Sequence, residues 1–109
     1  MKITVSARHT EVSPALRAAV EEKLERLAQR ARLDRADVHF TEEGHASSGE
    51  REVCDVSLHG RRQKFWVKVS APDGFVAIDR AVLKLDQQIQ RAKTKVLRRD
   101  TGFAVHRAS

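Results

Sequence analysis

The stretch from residue 73 to residue 99 constrains the fold most, because its spacing predicts one long helix with an apolar face. At about 100° per residue on a helix, six apolar side chains fall within an arc of roughly 80°. These residues are Ile78, Val82, Leu85, Ile89, Ala92 and Val96. A helix with such a stripe must cover an apolar surface, so the remaining residues have to provide one.

The opposite face of this predicted helix is cationic. Five basic side chains share an arc of roughly 60°, and they are Arg80, Lys84, Arg91, Lys95 and Arg98. Residues 80–99 contain seven basic residues and a single acid, Asp86. A merely soluble helix surface usually alternates the two signs, and this one does not. The pattern favours a site for a phosphate backbone, with a soluble surface as the alternative.

Composition narrows the class of partner. A chain of 109 residues fits a single domain, and its formal net charge of +6 indicates an acidic partner, either nucleic acid or an anionic membrane. No apolar run approaches the roughly 18 residues of a membrane span, and the first residues lack the apolar segment of a signal peptide. We therefore predict a cytoplasmic protein with no membrane partner.

Residues with catalytic or metal-binding chemistry are dispersed along the chain. The five histidines show no metal-ligand spacing, and no glycine-rich phosphate loop is present. The single cysteine, Cys54, points inward on a predicted strand, which favours a small core residue over a nucleophile. We therefore predict no enzyme activity, no cofactor, no metal and no small-molecule substrate.

The first part of the chain predicts a strand followed by a helix. Residues 3–7 alternate between apolar and polar, which is typical of a strand with one buried face. Ser13 followed by Pro14 indicates a helix start, and the helix is predicted to run to about Arg32. Three basic residues share one flank of this helix, namely Lys23, Arg26 and Arg30. They either extend the cationic surface or belong to an ordinary solvated one.

Three further strands and a second helix complete the predicted fold. Apolar residues alternate with polar ones over three short stretches, 38–40, 54–58 and 65–69. A loop is predicted at 42–50 and a hairpin turn at 59–62, and Asp73 or a near neighbour caps the last helix. The order β-α-β-β-β-α predicts an α+β fold in which two helices pack on one face of a four-stranded mixed sheet.

This arrangement predicts two exposed surfaces. With the helices side by side, the flank of the first and the cationic face of the second line one continuous basic groove. The other face of the sheet is open and displays Lys2, Arg8, Lys64, Trp66 and Lys68. Trp66 lies between two lysines, so it is suited to stack on an unpaired base. Contact with a protein partner and cover by residues 100–109 are the alternatives.

Both predicted helices open with recognisable motifs. The first is Val12-Ser13-Pro14-Ala15-Leu16-Arg17, and the second is Asp73-Gly74-Phe75-Val76-Ala77-Ile78-Asp79. They resemble those of the ribosome hibernation-promoting factors and ribosome-associated translation inhibitors of bacteria and plastids, whose second helix opens with Asp-x-Tyr-x-Ala-Ile-Asp. The resemblance spans about residues 1–99. Phe75 stands where that family often has tyrosine, so a hydroxyl is missing.

The resemblance implies a function without catalysis. Members of this family fold like double-stranded-RNA-binding domains. They bind the small ribosomal subunit and its ribosomal RNA at the decoding region, where they overlap messenger and transfer RNA. Such a protein inhibits translation by idle ribosomes as part of a stress response. The implied RNA contacts are the basic helix positions Lys23, Arg26, Arg30, Arg80, Lys84, Arg91, Lys95 and Arg98. The alternative function is a protein-interaction module that uses the open sheet around Lys64, Trp66 and Lys68.

The end of the chain bears on oligomeric state. Long members of the family carry a second, dimerising domain, and nothing after Arg99 resembles it. We therefore expect a ribosome-binding domain at residues 1–99, a flexible C-terminal tail at 100–109 and a monomer. A short form of the family and the first domain of a long form both fit this pattern.

Overall fold

A computed structural model describes the backbone of residues 1–43 and 49–108, and the side chains of residues 1–43 and 49–95. Its elements are β1 (Lys2–Arg8), α1 (Pro14–Ala28), β2 (Leu33–Glu42), β3 (Glu52–Gly60), β4 (Gln63–Ala71) and α2 (Gly74–Ala108). The predicted order β-α-β-β-β-α is confirmed. Strand β2 ends at Glu42 and β3 begins at Glu52, and residues 44–48 of the predicted loop between them lie outside the described residues.

The four strands form one mixed sheet in the order β1-β2-β3-β4. β1 and β2 are parallel, with Val5 opposite Val38, because helix α1 returns the chain to the same end of the sheet. The pairs β2–β3 and β3–β4 are antiparallel, and Val56 lies between Val38 and Val67 in the register. The predicted mixed sheet is therefore confirmed.

The core lies between one face of this sheet and both helices. The largest fully buried side chains include Phe40 and Leu58 from the sheet, Leu24 from α1, and Leu85 and Ile89 from α2. Among the described residues no charged or polar residue is buried. The apolar stripe predicted for α2 therefore faces the sheet from Ile78 to Ala92, and the side chain of Val96 lies outside the described residues. The buried side chains of α1 face the sheet as well, which fixes the outward direction of the basic side chains.

Helix α1 begins as predicted and ends earlier. The Ser13 hydroxyl oxygen accepts a hydrogen bond from the Leu16 backbone N–H at 3.1 Å, which caps the first turn. The helix ends at Ala28 rather than near Arg32. The chain enters β2 at Leu33, which is buried in the core, so the residues before it must leave the helix axis. Tertiary packing overrides the helical spacing at this end.

Helix α2 begins with the predicted cap and ends later than predicted. The Asp73 carboxylate accepts from the Val76 N–H at 3.0 Å. The helix runs to Ala108, beyond the predicted end at Arg99, because no proline follows Pro72 and Gly102 alone costs only about 1 kcal/mol. The division into a domain at residues 1–99 and a flexible tail at 100–109 stays a prediction.

Candidate nucleic-acid interface

A groove runs between the outer surfaces of α1 and α2. Its basic side is formed by α1 and the turn that follows it, and its acidic side is formed by α2. The floor is partly apolar, and the volume is about 340 Å³. We call it the interhelical groove, lined by Lys23, Arg26, Leu27, Arg30, Asp79, Val82, Leu83 and Asp86. All three basic residues predicted on the flank of α1 therefore lie in one surface.

Each basic residue of the interhelical groove has a carboxylate partner. Lys23 Nζ lies 2.5 Å from Asp79 Oδ1, and Arg30 Nη1 lies 2.8 Å from Asp86 Oδ1. Arg26 pairs with Glu22 one turn earlier on α1, at 2.6 Å. Solvent-accessible pairs of this kind are worth about 0.2–1 kcal/mol each. A phosphate can therefore replace these carboxylates at small cost.

The basic face of α2 begins on the other side of that helix, over the outer edge of the sheet. Arg80 Nη1 donates to Glu50 Oε1 at 2.7 Å and to the Ser70 carbonyl oxygen at 2.8 Å. Lys84 lines the same cleft, together with Lys68 of β4. We call this surface the edge cleft, with Glu50, Lys68, Ser70, Arg80 and Lys84 as its polar residues.

Side chains of α2 also cover the free edge of β4. Strand β4 ends the sheet, so its outward carbonyl groups have no partner strand. Gln88 Nε2 donates to the Trp66 carbonyl oxygen at 3.0 Å, and Arg80 donates to that of Ser70. These two hydrogen bonds tie α2 to the edge strand, and the second of them orients the Arg80 guanidinium.

The structure separates the two basic surfaces that the sequence predicted as one continuous groove, so that prediction is wrong. Asp79 and Asp86 face α1, and they lie roughly 100–160° around the helix from Arg80 and Lys84. The body of helix α2 therefore separates the basic flank of α1 from the basic face of α2. The seven-residue spacing of the two aspartates, which places them on one stripe, is the signal that could have revealed this.

Three predicted contact residues lie further along α2. Arg91 and Lys95 are exposed. They continue the helical stripe that begins with Arg80 and Lys84. The side chain of Arg98 lies outside the described residues. Binding of RNA by the eight predicted residues stays a prediction.

The open face of the sheet carries the exposed Trp66. Its side chain lies on β4 and the residue is 52% exposed, between the exposed Lys64 and Lys68. The indole Nε1 donates to Asp55 Oδ1 on β3 at 2.5 Å. This bond fixes one edge of the ring. The predicted outward direction of these three residues is confirmed, and their partner is still a prediction.

The remaining reactive groups form no centre in the described residues. Cys54 is buried, and burial raises the pKa of its thiol to about 12, so it is protonated and a poor nucleophile at neutral pH. No group of three or more His, Cys, Asp or Glu side chains is placed to hold a metal ion there. Within the same residues, neither helix is long and apolar enough to cross a membrane.

Comparisons with known proteins agree with this fold. The family model described as Sigma 54 modulation protein / S30EA ribosomal protein matches residues 3–97. The N-terminal domain of Protein Y from Thermus thermophilus is similar over 84% of this chain and 98% of its own, with 28% identity and a TM-score of 0.69. A search of curated proteins finds no match.

A second solved structure has the same fold. It is a ribosomal subunit interface protein from Coxiella burnetii, with 20% identity and a TM-score of 0.73 over 86% of this chain and 99% of its own. At that identity the likeness concerns the fold alone. The region matched by the family model contains both described basic surfaces and every predicted RNA contact except Arg98.

Proposed function

Because this chain belongs to the Sigma 54 modulation protein / S30EA ribosomal protein family, a family of ribosome-associated hibernation factors, we propose that it binds the small ribosomal subunit near the decoding region. Bound there in the cytoplasm, it blocks the sites of messenger and transfer RNA and inhibits translation. The observation that carries the proposal is the placement of basic side chains on both sides of α2, outside the core.

The basic residues of the interhelical groove would bind RNA by exchanging their carboxylate partners for phosphates. Arg26 and Arg30 present planar guanidinium groups, which match two phosphate oxygens at once, and Lys23 supplies a compact ammonium. Their present partners are carboxylates on the protein surface. Phosphate oxygens take the place of these carboxylates as the ribosomal RNA enters the groove.

The edge cleft would offer RNA a contact in which the basic side chain is oriented before the phosphate binds. The Ser70 carbonyl oxygen already orients Arg80, so little side-chain freedom is lost when a phosphate takes the place of Glu50. Lys84 and Lys68 flank it and add charge. Contacts of this kind position a protein on RNA, while the shape of the RNA determines the location.

Inhibition by blocking the messenger and transfer RNA sites needs binding alone and no chemical reaction on the ribosome. If about six phosphates are neutralised, the logarithm of the affinity falls against the logarithm of salt with a slope of about −4 to −5. A slope near zero would contradict an interface built on phosphates.

Sucrose-gradient sedimentation tests the location directly. The chain is mixed with small subunits and with whole ribosomes at low and moderate salt, with and without transfer RNA as a competitor. We expect it to travel with the small subunit at moderate salt and to be released by transfer RNA that occupies the decoding sites. Absence from every ribosomal fraction would refute the proposed function.

Charge reversal on α2 tests which face binds. We expect Lys84→Glu with Arg91→Glu to abolish inhibition of translation in a cell-free system, because both side chains are exposed and basic. The matched control is Lys2→Glu with Arg17→Glu, which changes the net charge equally at exposed positions away from both basic surfaces. Equal inhibition by the two double variants would mean that the basic face of α2 is not the interface.

The open sheet supports a second candidate function, a protein-interaction module. Trp66 is large, half exposed and held in place by Asp55, which suits a binding surface for a protein partner. Under this alternative, Trp66→Ala weakens binding more than the charge reversals on α2, and ribonuclease leaves the complex whole. Loss of the complex on ribonuclease treatment would exclude it.

A further inference from the structure

A third basic surface lies where the β3–β4 hairpin meets the end of α1. It is a cavity of about 580 Å³ between three separate segments of the chain. We call it the hairpin pocket, lined by Arg30, Ala31, Arg32, Arg62, Gln63, Ala92 and Lys93. Arg32, Arg62 and Lys93 are not among the predicted RNA contacts.

The fold itself brings these residues together. A side chain at Gly60 would place its Cβ atom 2.2 Å from the Arg32 carbonyl oxygen, so only glycine lets the hairpin pack this closely against the segment after α1. The turn then places Arg62 in the left-handed conformation, with φ of 61°. Lys93 reaches the same cavity from α2. The convergence therefore depends on backbone packing rather than on flexible side chains alone.

The hairpin pocket differs from the interhelical groove in its charge balance. Four basic residues line it, and no carboxylate is among its lining residues. Arg30 pairs with Asp86, but no described carboxylate lies within 4.0 Å of Arg32, Arg62 or Lys93. Like charges around one cavity repel each other, and a bound anion relieves that repulsion.

Most of the accessible lining is apolar, and the charged ends of its basic side chains are the part that suits a phosphate group. Arg32 and Arg62 can each donate two parallel hydrogen bonds, and Gln63 adds a neutral amide donor. Ala31 and Ala92 are small, so they leave room for a ligand of that size. Arg30 lines both the interhelical groove and the hairpin pocket, so one strand of RNA can pass from the first into the second.

We propose that the hairpin pocket binds backbone phosphates of RNA and extends the interface from the interhelical groove around the end of α1. This inference rests on the proposed function for the identity of the RNA. Arg62 and Lys93 would each neutralise about one phosphate, and each contributes about 0.9 to the salt slope. Loss of both side-chain charges should therefore make the slope shallower by about 2.

The test uses Arg62→Gln with Lys93→Gln, and Lys2→Gln with Arg17→Gln as the control of equal charge. Binding of a short RNA duplex of about 16 base pairs is measured between about 50 and about 200 mM salt. We expect the affinity of the pocket variant to fall about tenfold at low salt, with the shallower slope, while the control loses less than about threefold. Thermal unfolding checks that both variants are folded.

Amide resonances locate the RNA on the wild-type chain. We expect shifts at Gln63, Ala92 and Lys93 when the duplex is added. Absence of shifts there, or equal affinities and slopes for the pocket variant and its control, would overturn the proposal. A duplex that fails to bind the wild-type chain would overturn it as well.

Sedimentation with small subunits separates this inference from the proposed function. If the pocket variant binds subunits as tightly as its control does, the hairpin pocket is refuted and the proposed function stands. The duplex could shift the amide resonances of the pocket in the wild-type chain while this chain is absent from the ribosomal fractions. In that case the proposed function fails and the hairpin pocket remains an RNA site.

Discussion

Replacement of Asp86 by asparagine should tighten binding to ribosomal RNA. The Asp86 carboxylate lies 2.8 Å from Arg30, in the groove where a phosphate is proposed to bind. Asparagine keeps the size and one carbonyl oxygen but loses the negative charge. Arg30 then keeps its place, while the carboxylate that competes with phosphate for Arg30 is gone.

The geometry of Arg30 sets the size of the effect. A phosphate on the far side of the guanidinium would lie about 8 Å from the Asp86 carboxylate. At that distance the repulsion is about 0.5 kcal/mol in water and about 2 kcal/mol at an effective dielectric constant of about 20. If the phosphate instead displaces the carboxylate, the lost ion pair is worth about 0.2–1 kcal/mol. The first route predicts an affinity about twofold to thirtyfold higher, and the second route predicts one about 1.4-fold to fivefold higher.

Titration of fluorescently labelled protein with small ribosomal subunits measures the affinity. The matched control is Glu21→Gln, which changes the net charge equally on the opposite flank of α1. The control should bind at most about twofold more tightly, because exposed charges beyond about 8 Å are largely screened at physiological salt. Thermal unfolding of both variants shows whether the fold is kept.

The refuting result is an Asp86→Asn variant that binds no more tightly than Glu21→Gln. It would mean that no phosphate comes near Arg30, and the interhelical groove would have to be removed from the proposed interface. Weaker binding would mean that Asp86 serves mainly to position Arg30.

Three further predictions concern stability. Burial raises the pKa of Glu52 above its ordinary 4.5, so the fold loses stability as pH rises from 4.5 through the raised pKa. Glu52→Gln should therefore increase the free energy of unfolding at pH 7 and not below pH 4, as measured by urea denaturation. Ser13→Ala removes the cap of α1 and should cost about 1 kcal/mol in the same assay. Gly60→Ala forces the hairpin away from Arg32 and should lower the melting temperature. Gly49 has open space around it and φ of 79°, so Gly49→Ala adds backbone strain without a steric clash.

Much of the fold could be predicted because its signals are local. The strand and helix order follows from the period of apolar residues, and the caps Ser13 and Asp73 follow from side chains that bond their own first turns. The end of α1 could not be predicted in this way. Residues 29–32 fit a helix locally, and the burial of Leu33 in the core requires the chain to leave the helix before them.

The candidate site was less predictable than the fold. Helical spacing placed Lys23 and Arg30 on one flank and Arg80 and Lys84 on one face, and both groupings hold in the structure. The sequence does not state which side of α2 faces α1, because that depends on how the helices pack on the sheet. The hairpin pocket joins segments at 30–32, 62–63 and 92–93, so no local pattern could reveal it.

The number of ion pairs limits how steeply binding can depend on salt. Eight predicted contacts at about 0.9 each would give a slope of about −7. Lys23, Arg26, Arg30 and Arg80 already hold carboxylates. When a phosphate displaces a carboxylate, the freed carboxylate attracts a cation from solution, which offsets part of the counterion release.

Binding that neutralises about six phosphates gives the slope of about −4 to −5, and this offset makes the slope of eight contacts shallower than about −7 in the same direction. Asp79→Asn combined with Asp86→Asn removes two of the freed carboxylates. The slope of the double variant should therefore steepen by about 1 to 2 as its affinity rises. An unchanged slope would show that the ion pairs of Lys23 and Arg30 stay intact in the complex, and that the RNA lies over the edge cleft or the hairpin pocket instead.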